Sequence, residues 1–385
     1  MTSDPLPPTF GDLYRNRRVL VTGHTGFKGA WLCEWLLGLG AHVTGYSLAA
    51  PTSPALSELL GLRSRVEHVE ADVRDRERLA AVVRAAAPDF VFHLAAQPLV
   101  RESYRTPVAT LEVNVLGTVH VLEALRTWDR PCAAVLVTSD KCYENRDWLF
   151  GYREDDALGG ADPYSASKGA AEIAIASWRR SFFASHPVRV ASGRAGNVIG
   201  GGDWAQDRIL PDCVRALSAG QPITVRNPAA RRPWQHVLEP LSGYLWLAAV
   251  LARPELRPFA PAQFTGAFNF GPGHEANRTV AELVTEVVKH WPGRWEDGSD
   301  PRAPHEARWL GLATDKASAL LGWTPVWDFA TGVAETLRWY RAVHEGPAET
   351  GDVRALTAAQ IARYTTAAHS LGLPWASGVC QRAML

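Results

Sequence analysis

The chain has 385 residues, enough for a large core and two lobes. Its 46% hydrophobic and 21% charged content is that of an ordinary globular protein, and 40 basic residues balance 40 acidic ones. No global field points to nucleic acid or to an anionic membrane, so neither is expected as a partner. Five cysteines (Cys33, Cys132, Cys142, Cys213 and Cys380) stand in odd number and without metal-ligand spacing. That pattern fits reduced thiols in a cytoplasm and predicts no metal site. Residues 1–18 carry prolines and charges but no apolar run of a secretory signal, and the apolar stretch 244–252 is too short to span a bilayer.

In chain order, residues 17–22 read as a first strand, followed by Gly23-His24-Thr25-Gly26-Phe27-Lys28-Gly29 and an apolar segment, 30–39, that ends at Gly40. Strand, G-x-x-G-x-x-G, helix is an arrangement that binds dinucleotides. Gly23 allows the tight turn, Gly26 lets the backbone approach a pyrophosphate, and Gly29 lets helix and strand pack closely. Thr25, Phe27 and Lys28 belong to the same phosphate-facing loop, and the helix N-terminus presents its free N–H groups there. Residues 42–48 form a second strand. A carboxylate expected near its end, to hold the adenosine 2′-hydroxyl, is missing, since no Asp or Glu occurs between Glu34 and Glu58. No arginine occurs there either, so a 2′-phosphate finds no partner and NAD is expected over NADP. Residues 66–71 are a third strand that delivers Asp72 and Val73 to the adenine edge, and 75–87 read as a helix. Residues 90–97 are a fourth strand and its exit, where Leu94, Ala95, Ala96 and Gln97 lie beside the cofactor. His93, inside that apolar strand, reads as a satisfied core histidine. Residues 108–128 repeat apolar residues at helical spacing; Asn114 among them is either a helix–strand bridge or part of a proton relay.

The stretch from 135 to 168 organises the rest. An apolar fifth strand ends in Thr138-Ser139-Asp140-Lys141-Cys142-Tyr143, and Tyr164-Ser165-Ala166-Ser167-Lys168 opens an alanine-rich helix running to about residue 183. A tyrosine and a lysine four apart share one helix face. The ammonium is expected to lower the phenol pKa and make Tyr164 a usable base, with Ser139 reaching the same point from the strand end. Residues 188–192 form a sixth strand, and Asn197 and the glycine run 200–202 follow it, at the carboxyl end where such sheets bind ligands. Arg208, Arg226, Arg231 and Arg232 then accumulate, and arginine suits forked recognition of phosphate. Trp234 and His236 flank them, suited to stack on or hydrogen-bond a base. Residues 268–271 look like a returning strand, and Thr279 to Glu282 is a capping box. The alternation predicts an α/β fold, a Rossmann-type doubly wound parallel sheet with a smaller, discontinuous C-terminal substrate lobe. Residues 16–192, with a returning part near 233–271, make the dinucleotide-binding domain. Residues 193–232 and 272–345 make the substrate lobe, and 346–385 a tail. Residues 1–15 and roughly the last twenty read as peripheral.

These residues together resemble the extended short-chain dehydrogenase/reductase family, and within it the nucleotide-sugar 4,6-dehydratases. The resemblance rests on Thr22 to Gly29, His93 to Arg101, Thr138 to Tyr143, Asp162 to Lys168, Arg194 to Trp204 and Arg232 to Pro240, and spans residues 16–345. Ser139, Tyr164 and Lys168 match the family's Ser/Thr-Tyr-Lys set, and Asp140 matches the acid of the dehydratases. The next residue is glutamate in the dTDP- and GDP-sugar enzymes but Lys141 here, as in the branch that takes a CDP-sugar. The resemblance implies NAD as cofactor, CDP-glucose or a related nucleotide sugar as substrate, and a homodimer paired through two helices of each subunit. It also implies the reaction: oxidation at C4, loss of water across C5 and C6, and hydride return to C6. Tyr164 and Lys168 would also touch the cofactor. Asn197, Arg208, Arg226, Arg232, Trp234, His236 and His305 are the expected substrate contacts. An epimerase needs no acid/base pair at this strand end, so Asp140 and Lys141 favour dehydration. An epimerase or dehydrogenase of the same family, a dehydratase of another nucleotide-glucose, and a redox-sensing binding protein without turnover stay open as alternatives.

Overall fold

The computed structural model describes residues 9–299, 310–345 and 352–377. Its main sheet has seven strands: β1 (Arg18–Thr22), β2 (His42–Ser47), β3 (Glu67–Glu70), β4 (Phe90–His93), β5 (Cys132–Val137), β6 (Val188–Ala195) and β7 (Ala267–Phe270). All pair in parallel, in the order 7-6-5-4-1-2-3. The runs Val19-Leu20-Val21 and Ala133-Ala134-Val135-Leu136 are buried on both faces, the composition expected of a sheet covered by helices on each side. One side carries α1 (Phe27–Gly38); the other carries α2 (Arg76–Ala86), α3 (Pro107–Arg126) and α4 (Pro163–Phe182). Next come α5 (Ile209–Ser218), α6 (Leu238–Ala252), α7 (Val280–His290), α8 (Phe329–Glu345) and α9 (Val353–Ser370). All five contribute to the core that α1 shares. The capping box expected at Thr279 and Glu282 opens α7.

Local chemistry sets the two helices nearest the site. Asp162 caps α4 by accepting from the Ser165 amide at 2.9 Å, with Pro163 in the first turn. The single helix expected over residues 108–128 is interrupted by a π-helical segment, Glu112–Leu116. The wider turn carries Asn114, 1% exposed, to the sheet. By length and composition α3 could cross a bilayer, which attention to 244–252 overlooked; nearly half of its apolar window is buried in the fold.

Beyond the sheet lie three two-stranded pairs: Val198–Ile199 with Gln235–His236, Arg231–Pro233 with Asn277–Thr279, and Ile223–Val225 with Trp295–Asp297. Both regions read as peripheral contribute to the core instead. Phe10 and Tyr14 are buried; Phe10 stacks on Trp375 with ring centres 5.1 Å apart and donates its amide to the Trp375 carbonyl at 2.6 Å. Tyr364 of α9 meets Trp35 of α1 edge-on. The physical reason is α1 itself, whose residues from Gly29 to Leu36 are all buried, so its outward face also needs an apolar cover.

Candidate active site

The loop from β1 to α1 distinguishes its three glycines by what surrounds them. Gly23 has φ +77°, and a Cβ there would lie 2.7 Å from the Ala95 amide. A Cβ on Gly29 would lie 2.1 Å from the Gly23 carbonyl oxygen, whereas one on Gly26 would meet only that oxygen, at 3.4 Å. Gly23 and Gly29 are therefore needed for packing, and Gly26 leaves open space in front of the free N–H groups of α1. The Thr25 hydroxyl bonds the Ser47 hydroxyl at 2.7 Å and the Leu48 carbonyl at 3.0 Å, closing the gap to the end of β2. Asp72, after β3, is held by Arg74 at 2.7 Å, which keeps its carboxyl below the usual range; Val73 packs under Gly117. Phe27, Leu94, Ala95, Ala96 and Gln97 are partly buried around the same opening. The Lys28 ammonium lies 5.6 Å from the centre of the Tyr244 ring. Burial lowers its pKa to about 7, with Arg208 and Lys168 acting the same way and Asp140 opposing them.

Of the two roles open to Asn114, the geometry shows the bridge. Its Oδ1 accepts from the Gln97 amide at 2.8 Å, and its Nδ2 donates to the Gln97 carbonyl at 3.1 Å and to Ser167 Oγ at 2.8 Å. The exit of β4 is thereby tied to α4. His93 is a satisfied core histidine, bonded to Thr22 at 2.7 Å and Thr118 at 3.1 Å. Burial holds its pKa near 3, and Lys168 pushes the same way.

At the end of β5 the chain enters a 3-10 turn, Asp140–Cys142. Ser139 Oγ accepts from the Lys141 amide at 3.2 Å and donates to Asp140 Oδ1 at 2.8 Å. Asp140 is 2% exposed, and burial raises its pKa against the pull of Lys141 and Ser139. Its Oδ2 has no partner and sits over Gly196, where a Cβ would approach it to 2.8 Å. Tyr164 and Lys168 are buried on α4, with the ammonium 5.9 Å from the phenol ring centre. The expected lowering of the phenol pKa is reversed. Burial raises Tyr164 to about 12, with the Ser139 hydrogen bond opposing, and burial lowers Lys168 to about 8. Desolvation of both groups outweighs their proximity.

The residues expected to meet substrate divide. Arg208, at the start of α5, bonds Asp203 at 2.8 Å, and its charge reaches both Lys28 and Tyr164. Arg232 reaches Asp140 electrostatically, and Asn197 is partly buried beside Gly196. Arg226 is exposed and paired with Asp207 at 2.7 Å. Trp234 and His236 do not present a face to a base. The Trp234 indole is buried and donates to the Arg278 carbonyl at 3.2 Å. His236, 1% exposed, lies edge-on between Trp31 and Trp327. His236 is turned into the core by the short pair it belongs to, and Trp234 by its place between that strand and Arg231–Pro233. His305 lies outside the described residues.

A buried polar web under the site was not expected from the sequence. Glu172 accepts from Thr138 Oγ1 at 2.5 Å, Ser192 Oγ at 2.9 Å and Arg194 Nη2 at 2.8 Å. Its one sequence signal is position, four residues beyond Lys168 and so on the same helix face.

A glycine-loop dinucleotide cradle joined to a Ser-Tyr-Lys cluster and a buried acid defines a nucleotide-sugar-modifying branch of the doubly wound α/β proteins. The chain belongs to the GDP-mannose 4,6-dehydratase family, whose model matches residues 20–336. It is 46% identical over 339 residues to the CDP-glucose 4,6-dehydratase of Salmonella typhimurium, covering 86% of this chain and 92% of that one. Among solved structures it is similar to DesIV, the dTDP-glucose 4,6-dehydratase of Streptomyces venezuelae with NAD and TYD bound, at a TM-score of 0.71 and 26% identity, over 84% of this chain and 97% of that one. The UDP-glucose 4-epimerase of Thermotoga maritima, at 21% identity and a TM-score of 0.73 over 84% and 99% of the two chains, shares the fold.

Proposed function

We propose that this chain converts CDP-glucose to CDP-4-keto-6-deoxyglucose with NAD as its resident cofactor. One observation carries the reading: a buried, protonation-favouring Asp140 and the adjacent Lys141 stand on one short turn beside Ser139 and the Tyr164–Lys168 pair. The open space at Gly26, the positive φ of Gly23 and the free end of α1 fit a dinucleotide pyrophosphate, and the relative from Salmonella typhimurium supports a CDP-sugar. When bound, NAD accepts hydride from C4 and returns it to C6. The Tyr164 phenolate, the minor form at neutral pH because burial raises the phenol pKa, takes the proton of the 4-hydroxyl, with Ser139 orienting that hydroxyl and the Lys168 ammonium stabilising the phenolate. Lys141 removes the C5 proton made acidic by the neighbouring ketone. Asp140 donates its proton to the C6 hydroxyl, which leaves as water, and Lys141 gives the C5 proton back as hydride reaches C6. An epimerase would have no use for a buried proton donor at this position. Residues 16–192 with 233–271 hold the cofactor in this reading, and 193–232 with 272–345 the nucleotide sugar, with Asn197, Arg208, Arg226 and Arg232 as its contacts. The setting is cytoplasmic, and the unit is a homodimer.

The test separates oxidation from elimination. Lys141→Ala is expected to reduce bound cofactor with CDP-glucose yet fail to exchange the C5 hydrogen with solvent deuterium. Asp140→Asn should keep some C5 exchange while losing product. Exchange in Lys141→Ala at the wild-type rate assigns the base elsewhere, to Asp140 or an ordered water.

A further inference from the structure

The ion pair of Glu172 and Arg194 lies beneath the reacting groups, with side chains only 3% and 4% exposed. Two charges taken out of water are costly to keep unless further hydrogen bonds satisfy them, and the direction of those bonds is informative. Thr138, which donates to Glu172, immediately precedes Ser139. Tyr143, whose hydroxyl accepts from Arg194 Nη1 at 2.7 Å, immediately follows Cys142. The same guanidinium lies 4.9 Å over the Tyr143 ring and donates to the Glu154 carbonyl at 2.9 Å. Tyr143 in turn donates to Asn269 Oδ1 on β7 at 2.7 Å. Both ends of the turn that carries Ser139, Asp140 and Lys141 are thus bonded to one ion pair, whose acid stands on α4 one helical turn beyond Lys168. The turn also touches α4 directly: a Cβ on Gly169 would lie 3.2 Å from the Cys142 carbonyl.

We propose that Glu172 and Arg194 are positioning residues that clamp the Asp140–Lys141 turn at both ends against the helix bearing Tyr164 and Lys168, so that elimination follows oxidation in register. The inference rests on the roles given above to Asp140 and Lys141. Oxidation at C4 draws on α4 and on Ser139 at the near end of the turn, whereas elimination needs Asp140 and Lys141, further along it, held at the right depth beside α4. Loosening the clamp therefore affects the second step more than the first, and a displacement of about 1 Å is enough to cost one to two powers of ten.

The experiment uses Thr138→Val and Tyr143→Phe, near-isosteric changes that leave the ion pair intact and remove one anchor each. Tyr143→Phe, which frees the end beyond Lys141, should reduce bound cofactor in a single turnover within about twofold of wild type while C5 exchange and product formation fall about tenfold; Thr138→Val, beside Ser139, should slow reduction too, but several-fold less than it slows exchange. Thr138→Ser, which keeps the hydroxyl, should restore both. The double variant should fall short of the product of the single effects, because both anchors hold one turn. Equal loss of reduction and exchange in step with a lowered melting temperature would overturn the clamp in favour of general destabilisation, and wild-type exchange in both variants would overturn it outright. Lys141→Ala measured alongside keeps the two readings apart: if it exchanges normally the base assignment fails, while a selective loss of product formation in Tyr143→Phe still supports the clamp.

Discussion

A side chain at Gly26 should separate cofactor binding from folding, whereas one at Gly29 should join them. Gly26 has φ −74° and ψ 162°, extended backbone that valine adopts readily, and its Cβ would meet only the Gly23 carbonyl at 3.4 Å. Gly26→Val is therefore expected to melt within about 2 °C of wild type. The added methyls fill the space in front of the α1 amides, where a pyrophosphate makes charge-assisted hydrogen bonds worth about 1.5–3 kcal/mol each. Losing one to two of them costs roughly 3 kcal/mol, so NAD should bind over a hundredfold more weakly. At Gly29 the new Cβ would lie 2.1 Å from a backbone oxygen that has no rotamer to escape into. Overpacking of this kind costs about 3 kcal/mol, which for a chain of this size lowers the melting temperature by roughly 4 °C. Calorimetric titration with NAD and thermal unfolding of both variants check the pair. NAD affinity in Gly26→Val within threefold of wild type would refute the cradle, and an unchanged melting temperature in Gly29→Ala would refute the packing argument.

Tyr164→Phe should lower kcat by roughly two to four powers of ten while NAD still binds, the usual scale of a lost general base; near-normal turnover of CDP-glucose would remove Tyr164 from that role. On the outer surface of α3 and α4, Val108, Leu111, Leu116, Ile173 and Phe182 are exposed, a patch suited to isologous pairing. Light scattering at micromolar concentration should give the mass of a dimer, and Ile173→Glu should shift it to that of a monomer.

The sheet was legible because parallel strands covered on both faces announce themselves as short apolar runs separated by helical periods. Residues 17–22, 90–97 and 133–137 fall close to β1, β4 and β5 for that reason. Asn114 could not be settled in advance, since its inward turn depends on a π-helical step that apolar spacing does not encode. Trp234 and His236 misled because a motif of arginines and aromatics says which residues are near a ligand, but not which way each side chain turns in or beside a two- or three-residue strand. The sign of the Tyr164 shift was missed for a related reason: spacing along a helix gives proximity to Lys168, whereas burial depends on what the rest of the chain packs over both. Glu172 was recoverable from its offset to Lys168; Arg194 and Thr138, on separate strands, were not.

The pairing of Phe10 with Trp375 joins positions separated by nearly the whole chain, and it lies over the back of α1. During synthesis the ribosome delivers α1 long before α9, so Trp35 waits for Tyr364 and Trp375 while the intervening chain is made. Contacts of such long sequence separation form late, and apolar surface left open meanwhile invites association with other chains. The nascent protein therefore completes its catalytic face before its back, and shortening the chain ahead of residue 353 should cost soluble yield well before it alters the chemistry at Tyr164.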